Sequence, residues 1–149
     1  MQPQHRTVVL HCTMTAPGEP VSLWKLSKQA LNAGYYDPEN LNPFHFLIQR
    51  NSRVVEGRPL DKPGAHPELS GLNSEIVNVV LVGGAHPEDR RGQNNFTPRQ
   101  LSRLRSVLKS IVEVFTHPVL VLGCDALTDV ESPAFDWWKT LEEWGINEW

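Results

Sequence analysis

Two apolar runs constrain this chain more than any other feature. Thr7 to Cys12 and Ile76 to Val82 are close to continuous in Val, Ile and Leu, and the second is closed by Gly83-Gly84. A strand with one solvated face alternates apolar and polar residues, so runs of this kind belong to strands buried on both faces. Such strands need a covering layer on each side of their sheet. The segments between them supply candidates. Ser22 can cap a helix with Leu23, Leu26, Ala30 and Leu31 on one side, and Gly34 is placed to end it. Thr97 as N-cap, Pro98 at the first helical position and Gln100 three residues after the cap open a second helix, continued by Leu101, Leu104, Leu108, Ile111 and Phe115 at helical spacing.

The remaining segments fill in the same plan. Phe46 to Gln49 and Val54 to Glu56 form a hairpin around Asn51-Ser52. Tyr35 to Pro43, Pro59 to Ser74 and Ala85 to Asn95 lack periodicity and read as loops. Pro118 to Leu122 is a further buried strand, and Phe135 to Trp144 a short terminal helix. Strands and helices that alternate in this way predict an α/β fold, a central mixed β-sheet flanked by helices, in one domain spanning residues 1–149.

Composition then narrows the partners. At 149 residues the chain is sized for one core, and its net charge of -3 gives no basic excess for nucleic acid or an anionic membrane. Met1 to Arg6 lacks the pattern of a secretory signal, and no apolar run approaches the length of a membrane span. Without an export signal, Cys12 and Cys124 are expected as free thiols.

Five segments carry a resemblance. Val8 to Thr13, Phe44 to Arg58, Pro63 to Gly84, Asn95 to Val107 and Ser132 to Trp138 resemble, in order, the N-acetylmuramoyl-L-alanine amidase family of phage lysozymes and peptidoglycan-recognition proteins. The resemblance implies the same mixed-sheet architecture, with a groove at the ends of the central strands. It also implies a zinc held by two His and one Cys, and a catalytic Tyr. Zinc in such a site acidifies a bound water for attack on a carbonyl.

Residue by residue, the implied chemistry is mostly replaced. Val9-Leu10-His11-Cys12-Thr13 matches the segment bearing the first ligand, which makes His11 its counterpart. Ser132-Pro133-Ala134-Phe135-Asp136 fixes the register of the C-terminal loop, placing Ser132 at the Cys ligand and Cys124 at the second His. Serine is a poor zinc ligand beside thiolate or imidazole. The family's Tyr precedes His-Phe, where this chain has Phe44 before His45-Phe46, and Val130 stands at an assisting Lys. His66 and Asn73 match residues of the substrate groove, while His45 reads as structural. Asp125, Asp129 or Glu131 could supply a substitute oxygen ligand, and Tyr35 or Tyr36 a substitute hydroxyl. A thiol–imidazole pair of Cys12 and His11 is disfavoured, because neighbours in a strand point to opposite faces.

The C-terminal segment is rich in Trp. Trp137 or Trp138 is expected to pack on the sheet, whereas Trp144 and Trp149 are expected to form an exposed aromatic patch of the kind that marks contact surfaces. Three functions are compatible with these features. The first is a catalytically degenerate, phage-type amidase homologue without a cofactor, retained to bind a protein or to self-assemble as a virion component. A phage lysozyme of the family also binds and inhibits its phage's RNA polymerase, so a polymerase contact is one such role. The second is a binder of peptidoglycan fragments that does not cut. The third is an active, divergent zinc amidase cleaving the muramoyl-L-Ala amide bond. The first is the reading adopted, with the protein expected in the host cytoplasm or the virion.

Overall fold

Strand β1 (Thr7–Cys12) lies inside the sheet, paired in parallel with β4 (Ile76–Leu81) on one side and with β5 (Leu120–Gly123) on the other. Beyond β4 come β2 (Phe46–Ile48), parallel to it, and then β3 (Val54–Glu56), antiparallel to β2. The order β3-β2-β4-β1-β5 is a mixed five-stranded sheet, as the apolar runs and the hairpin predict. This computed structural model describes residues 7–22, 26, 44–62, 76–115, 119–128 and 132–147. The expected helix from Ser22 to Gly34 lies outside the described residues apart from Ser22 and Leu26. Leu26 is buried and donates its N–H to Ser22 O.

All six residues of β4 are buried, and five of six in β1, because each face of the sheet is covered. One face carries Val8, Leu10, Val77, Val79 and Leu81 into the main core. There they meet helix α1 (Pro98–Val114) through Leu104, Leu108 and Ile111, and helix α2 (Trp137–Trp144) through Leu141. The opposite face carries Val9, His11, Asn78 and Val80, and two smaller clusters form there: Leu26, Phe44, Leu47, Val80 and Val82, and Val9, Ile76 and Cys124. The polar side chains of the site emerge on that second face.

The N-terminus of α1 is fixed as its sequence dictates. Thr97 Oγ1 accepts the Gln100 N–H at 3.0 Å and Gln100 Oε1 accepts the Thr97 N–H at 3.2 Å, completing a capping box. Gln100 goes further than capping. Wholly buried, its Nε2 donates to Ile48 O at 3.0 Å and Val82 O at 2.8 Å, tying the ends of β2 and β4 to the helix. Gly83 and Gly84 end β4 at φ of 131° and 96°, and a Cβ on Gly84 would sit 2.6 Å from Cys12 Sγ.

Several expectations need correction. The last strand runs Leu120–Gly123 rather than Pro118 to Leu122, and Leu120 is 39% exposed because β5 is an edge strand. That edge is closed by a side chain: Asn147 Oδ1 accepts the Val121 N–H at 2.8 Å while its Nδ2 donates to Val121 O at 2.9 Å. Helix α2 starts at Trp137, not Phe135, and stops at Gly145 in the left-handed conformation. Trp137 packs against the core as expected, but so does Trp144, and Trp138 is the exposed ring at 58%. Trp149 lies outside the described residues. No helix among the described residues is long and apolar enough to cross a membrane.

Candidate functional site

The site is organised by Asn78, a polar residue inside the apolar run of β4 to which the sequence alone assigns no role. A buried amide needs partners, and Asn78 is wholly buried. Its Oδ1 lies 2.7 Å from His11 Nε2, so that nitrogen carries the proton and the ring's basic nitrogen is Nδ1. Its main-chain N–H donates to His45 Nδ1 at 3.0 Å. His45 Nε2 in turn donates to Lys62 O at 2.8 Å. With both ring nitrogens engaged within the fold, His45 has the structural role expected of it.

His11 is buried near the C-terminal end of β1, on the face away from α1. Phe44 stands against it, edge to face, with ring centroids 5.3 Å apart and planes at 68°. The ring expected from the resemblance is in place beside the imidazole, but it presents carbon and hydrogen and no hydroxyl.

Cys124 opens a single 3₁₀ turn directly after β5. It is wholly buried, packs with Val9 and Ile76, and has its Sγ 3.5 Å from Thr128 Oγ1. Ser132 joins the ends of two strands. Its Oγ accepts the main-chain N–H of Cys12 at 2.9 Å, and its carbonyl accepts the N–H of Asp125 at 2.7 Å. Ser132 thus bonds to the residue after His11 and to the residue after Cys124. Of the residues that the resemblance singles out, His11 and Phe44 are in ring contact, Cys124 packs on the same face of the sheet with Val9, and Ser132 bonds to the residues that follow His11 and Cys124. Val130, His66, Asn73, Asp129, Glu131, Tyr35 and Tyr36 lie outside the described residues.

Cys12 faces the other way, with its Sγ 3.4 Å from Met14 Sδ in the main core. Burial pushes its thiol pKa up to about 11, against the lowering effect of hydrogen bonds at Met14 and Ser132. The thiol is protonated at neutral pH and turned from the imidazole, so it is no nucleophile for His11 to activate. Asp125, a candidate substitute ligand, is exposed, and its Oδ1 accepts from Trp137 Nε1 at 2.8 Å.

The resemblance gives three zinc-ligand positions to this chain, and all three lie among the described residues. They carry an imidazole, a thiol and an alcohol, and the alcohol already serves as acceptor for a main-chain N–H. An alcohol oxygen binds zinc far more weakly than thiolate or imidazole. Among the described residues no three His, Cys, Asp or Glu side chains form a group that could hold a metal ion. The described donor set does not fit the metal.

The N-acetylmuramoyl-L-alanine amidase family model matches residues 1–124 of the sequence. The chain belongs to that family. This amidase-family chain is 33% identical to the endolysin of Klebsiella phage KP32 over 140 residues, covering 91% of the chain and 86% of that relative. It is 30% identical to the endolysin of Escherichia phage T7 over 140 residues, with the same coverage of 91% and 86%. Among solved structures it is similar to the N-acetylmuramoyl-L-alanine amidase LysC from Clostridium intestinale, with a TM-score of 0.75 at 17% identity over 97% of this chain and 87% of that one. It is also similar to peptidoglycan recognition protein-LE in complex with tracheal cytotoxin, with a TM-score of 0.72 at 19% identity over 97% of this chain and 82% of that one. At such identities the structural likenesses establish the shared fold. The match to the family model ends at Cys124, so Ser132 lies beyond it.

Proposed function

We propose that this chain is a catalytically degenerate amidase of the phage endolysin type, kept as a binding or assembly protein. The observation that carries the reading is the use of the Ser132 hydroxyl. At the position that the resemblance gives to a metal-binding thiolate, Ser132 Oγ instead accepts the Cys12 N–H at 2.9 Å. Phe44 supports the same reading, since an apolar ring whose centroid lies 5.3 Å from that of His11 can neither orient a water nor stabilise an oxyanion. The remaining framework, with its buried Asn78 network and capped α1, is that of a stable sheet. A protein or a further copy of the chain is the favoured partner.

One observation favours a second reading, an active zinc amidase. His11 is held through Nε2 by the Asn78 oxygen, and metal-ligating histidines are oriented by such an acceptor on the nitrogen opposite the metal. On the first reading this hydrogen bond is inherited framework that stabilises a buried imidazole. A third reading, capture of peptidoglycan fragments without cleavage, draws on the likeness to a recognition protein whose complex contains a monomeric diaminopimelic acid-type peptidoglycan.

Purified peptidoglycan incubated with the protein and excess zinc separates these readings. Release of stem peptides with a free L-Ala amino group would establish the enzyme. Co-sedimentation with intact peptidoglycan, without release, would establish the fragment binder. Neither release nor co-sedimentation is the outcome expected here.

A further inference from the structure

The outer edge of β5 is held shut by one side chain. Among the described residues β1 is the one strand paired with β5, and on the other side Asn147, three residues past the end of α2, takes the main-chain groups. Its Oδ1 accepts the Val121 N–H at 2.8 Å and its Nδ2 donates to Val121 O at 2.9 Å. A primary amide carries the acceptor and the donor of a peptide unit, so Asn147 gives Val121 what a neighbouring strand would give it. The backbone is set for this contact. Asn147 has a φ of 69°, a region that Asn enters more readily than most side chains, and Ile146 before it is buried in the main core.

The edge itself specifies the strand that fits it. Two copies of β5 laid antiparallel about a two-fold axis at Val121 make a hydrogen-bonded pair there, each Val121 donating its N–H to the carbonyl of the other. Those are the two groups that Asn147 occupies. In that register Leu120 of each copy stands opposite Leu122 of the other. Both side chains lie on the face of the sheet away from α1, where Leu122 packs with Val9 and Cys124 while Leu120 is 39% exposed. The pairing covers Leu120, an apolar side chain that the single chain leaves in water. Exposed edge strands are ordinarily guarded by a charge, a Pro or a bulge, and Leu120–Gly123 reads Leu-Val-Leu-Gly. Asn147 is the guard that the sequence of β5 lacks.

We propose that Asn147 is an autoinhibitory plug: while its amide holds Val121 the sheet ends at β5, and when the amide is withdrawn β5 pairs with β5 of a second copy, joining two five-stranded sheets edge to edge. Withdrawal leaves α2 in place, because Leu141 stays in the core and Trp137, lying over Gly123, donates to Asp125 Oδ1 at 2.8 Å. The plug goes beyond the reading of the site given above and holds for an active amidase as well as for a degenerate one.

Asn147→Gly in the full chain tests it, because glycine accepts a φ of 69° and the change takes away the amide alone. In sedimentation velocity over a concentration series, the weight-average mass of this variant is expected to approach twice that of a single chain at concentrations where the unaltered protein has not risen. Hydrogen exchange at the Val121 N–H is expected to be faster than in the unaltered protein when the variant is dilute, and to slow again as it associates. Adding Leu120→Lys, which sets a charge in the seam, is expected to return Asn147→Gly to a single chain. A variant that sediments like the unaltered protein at every concentration overturns the proposal. Association that survives Leu120→Lys, as that of a merely unfolded variant would, overturns it too, and so does a Val121 N–H that still exchanges fast in the associated state.

Discussion

Ser132 Oγ accepts the main-chain N–H of Cys12 at 2.9 Å, fastening the C-terminal loop to the end of β1. On the reading proposed above, the hydroxyl at the position that the resemblance gives to a ligand serves the fold's own hydrogen-bond network instead. The expectation follows that restoring the donors restores the chemistry. A Phe44→Tyr, Cys124→His, Ser132→Cys variant is expected to bind about one zinc per chain, where three protein ligands and a water complete the site. Zinc content after dialysis, with release of stem peptides from peptidoglycan, checks it. Absence of zinc from the folded variant would show that the scaffold no longer fits the metal.

Gln100 is expected to matter more than its surface-type side chain suggests. Gln100→Ala removes the donor to Ile48 O and Val82 O together with half of the capping box. Leaving buried carbonyls without a donor predicts a loss of about 2–4 kcal/mol in urea unfolding. A loss below about 0.5 kcal/mol, the range of ordinary surface substitutions, would contradict the role given to it.

Gly84 is a glycine with little room. Its φ of 96°, and the 2.6 Å that would separate an added Cβ from Cys12 Sγ, predict that Gly84→Ala costs about 2–4 kcal/mol. Gly18, also at positive φ but with nothing within 4 Å, isolates the backbone contribution, and Gly18→Ala is expected to cost about 1 kcal/mol. Parallel denaturation curves of the two variants check the difference.

Cys12 makes stability depend on alkaline pH. Its thiol pKa rises from 9.0 to about 11 in the fold, chiefly through burial. A raised pKa means that the folded state holds the proton more tightly than the unfolded state. The contribution is therefore fully present below the unfolded pKa of 9.0 and is lost as pH rises through about 11. Unfolding free energies measured across that window are expected to fall with pH, and the Cys12→Ala variant to lose most of this slope. Alkylation of the folded protein by iodoacetamide at neutral pH is expected to be slow at this thiol.

What is legible in the sequence follows from which forces act locally. The capping box at Thr97 and Gln100 and the hairpin at Asn51-Ser52 depend on neighbours a few residues apart, and both are found in the fold. The apolar runs of β1 and β4 announce double-sided burial without naming a partner strand. The burial of Gln100 and Asn78 is not legible, because it depends on strand ends and histidines distant in sequence. Asn78 does leave a signal, since one amide within Ile76–Leu81 needs a buried partner. The exposed ring is Trp138 rather than Trp144 because Leu141 points into the core and sets the phase of α2. The closing of β5 by Asn147 leaves no periodic trace at all.

At the candidate site the sequence offers residues by resemblance, and their contacts come from the fold. His11 beside Phe44, and Ser132 bonded to the residues after His11 and Cys124, are relations of the folded chain. The resemblance can place Ser132 at a ligand position, but only the fold shows what its hydroxyl does instead.

The most direct test of the central claim is native mass spectrometry of the unaltered protein, stripped with a chelator and then returned to excess zinc. The mass expected is that of the bare chain once weakly held ions are removed by mild activation. One zinc retained per chain, and lost in His11→Ala, would contradict it and make this protein a metal-binding amidase.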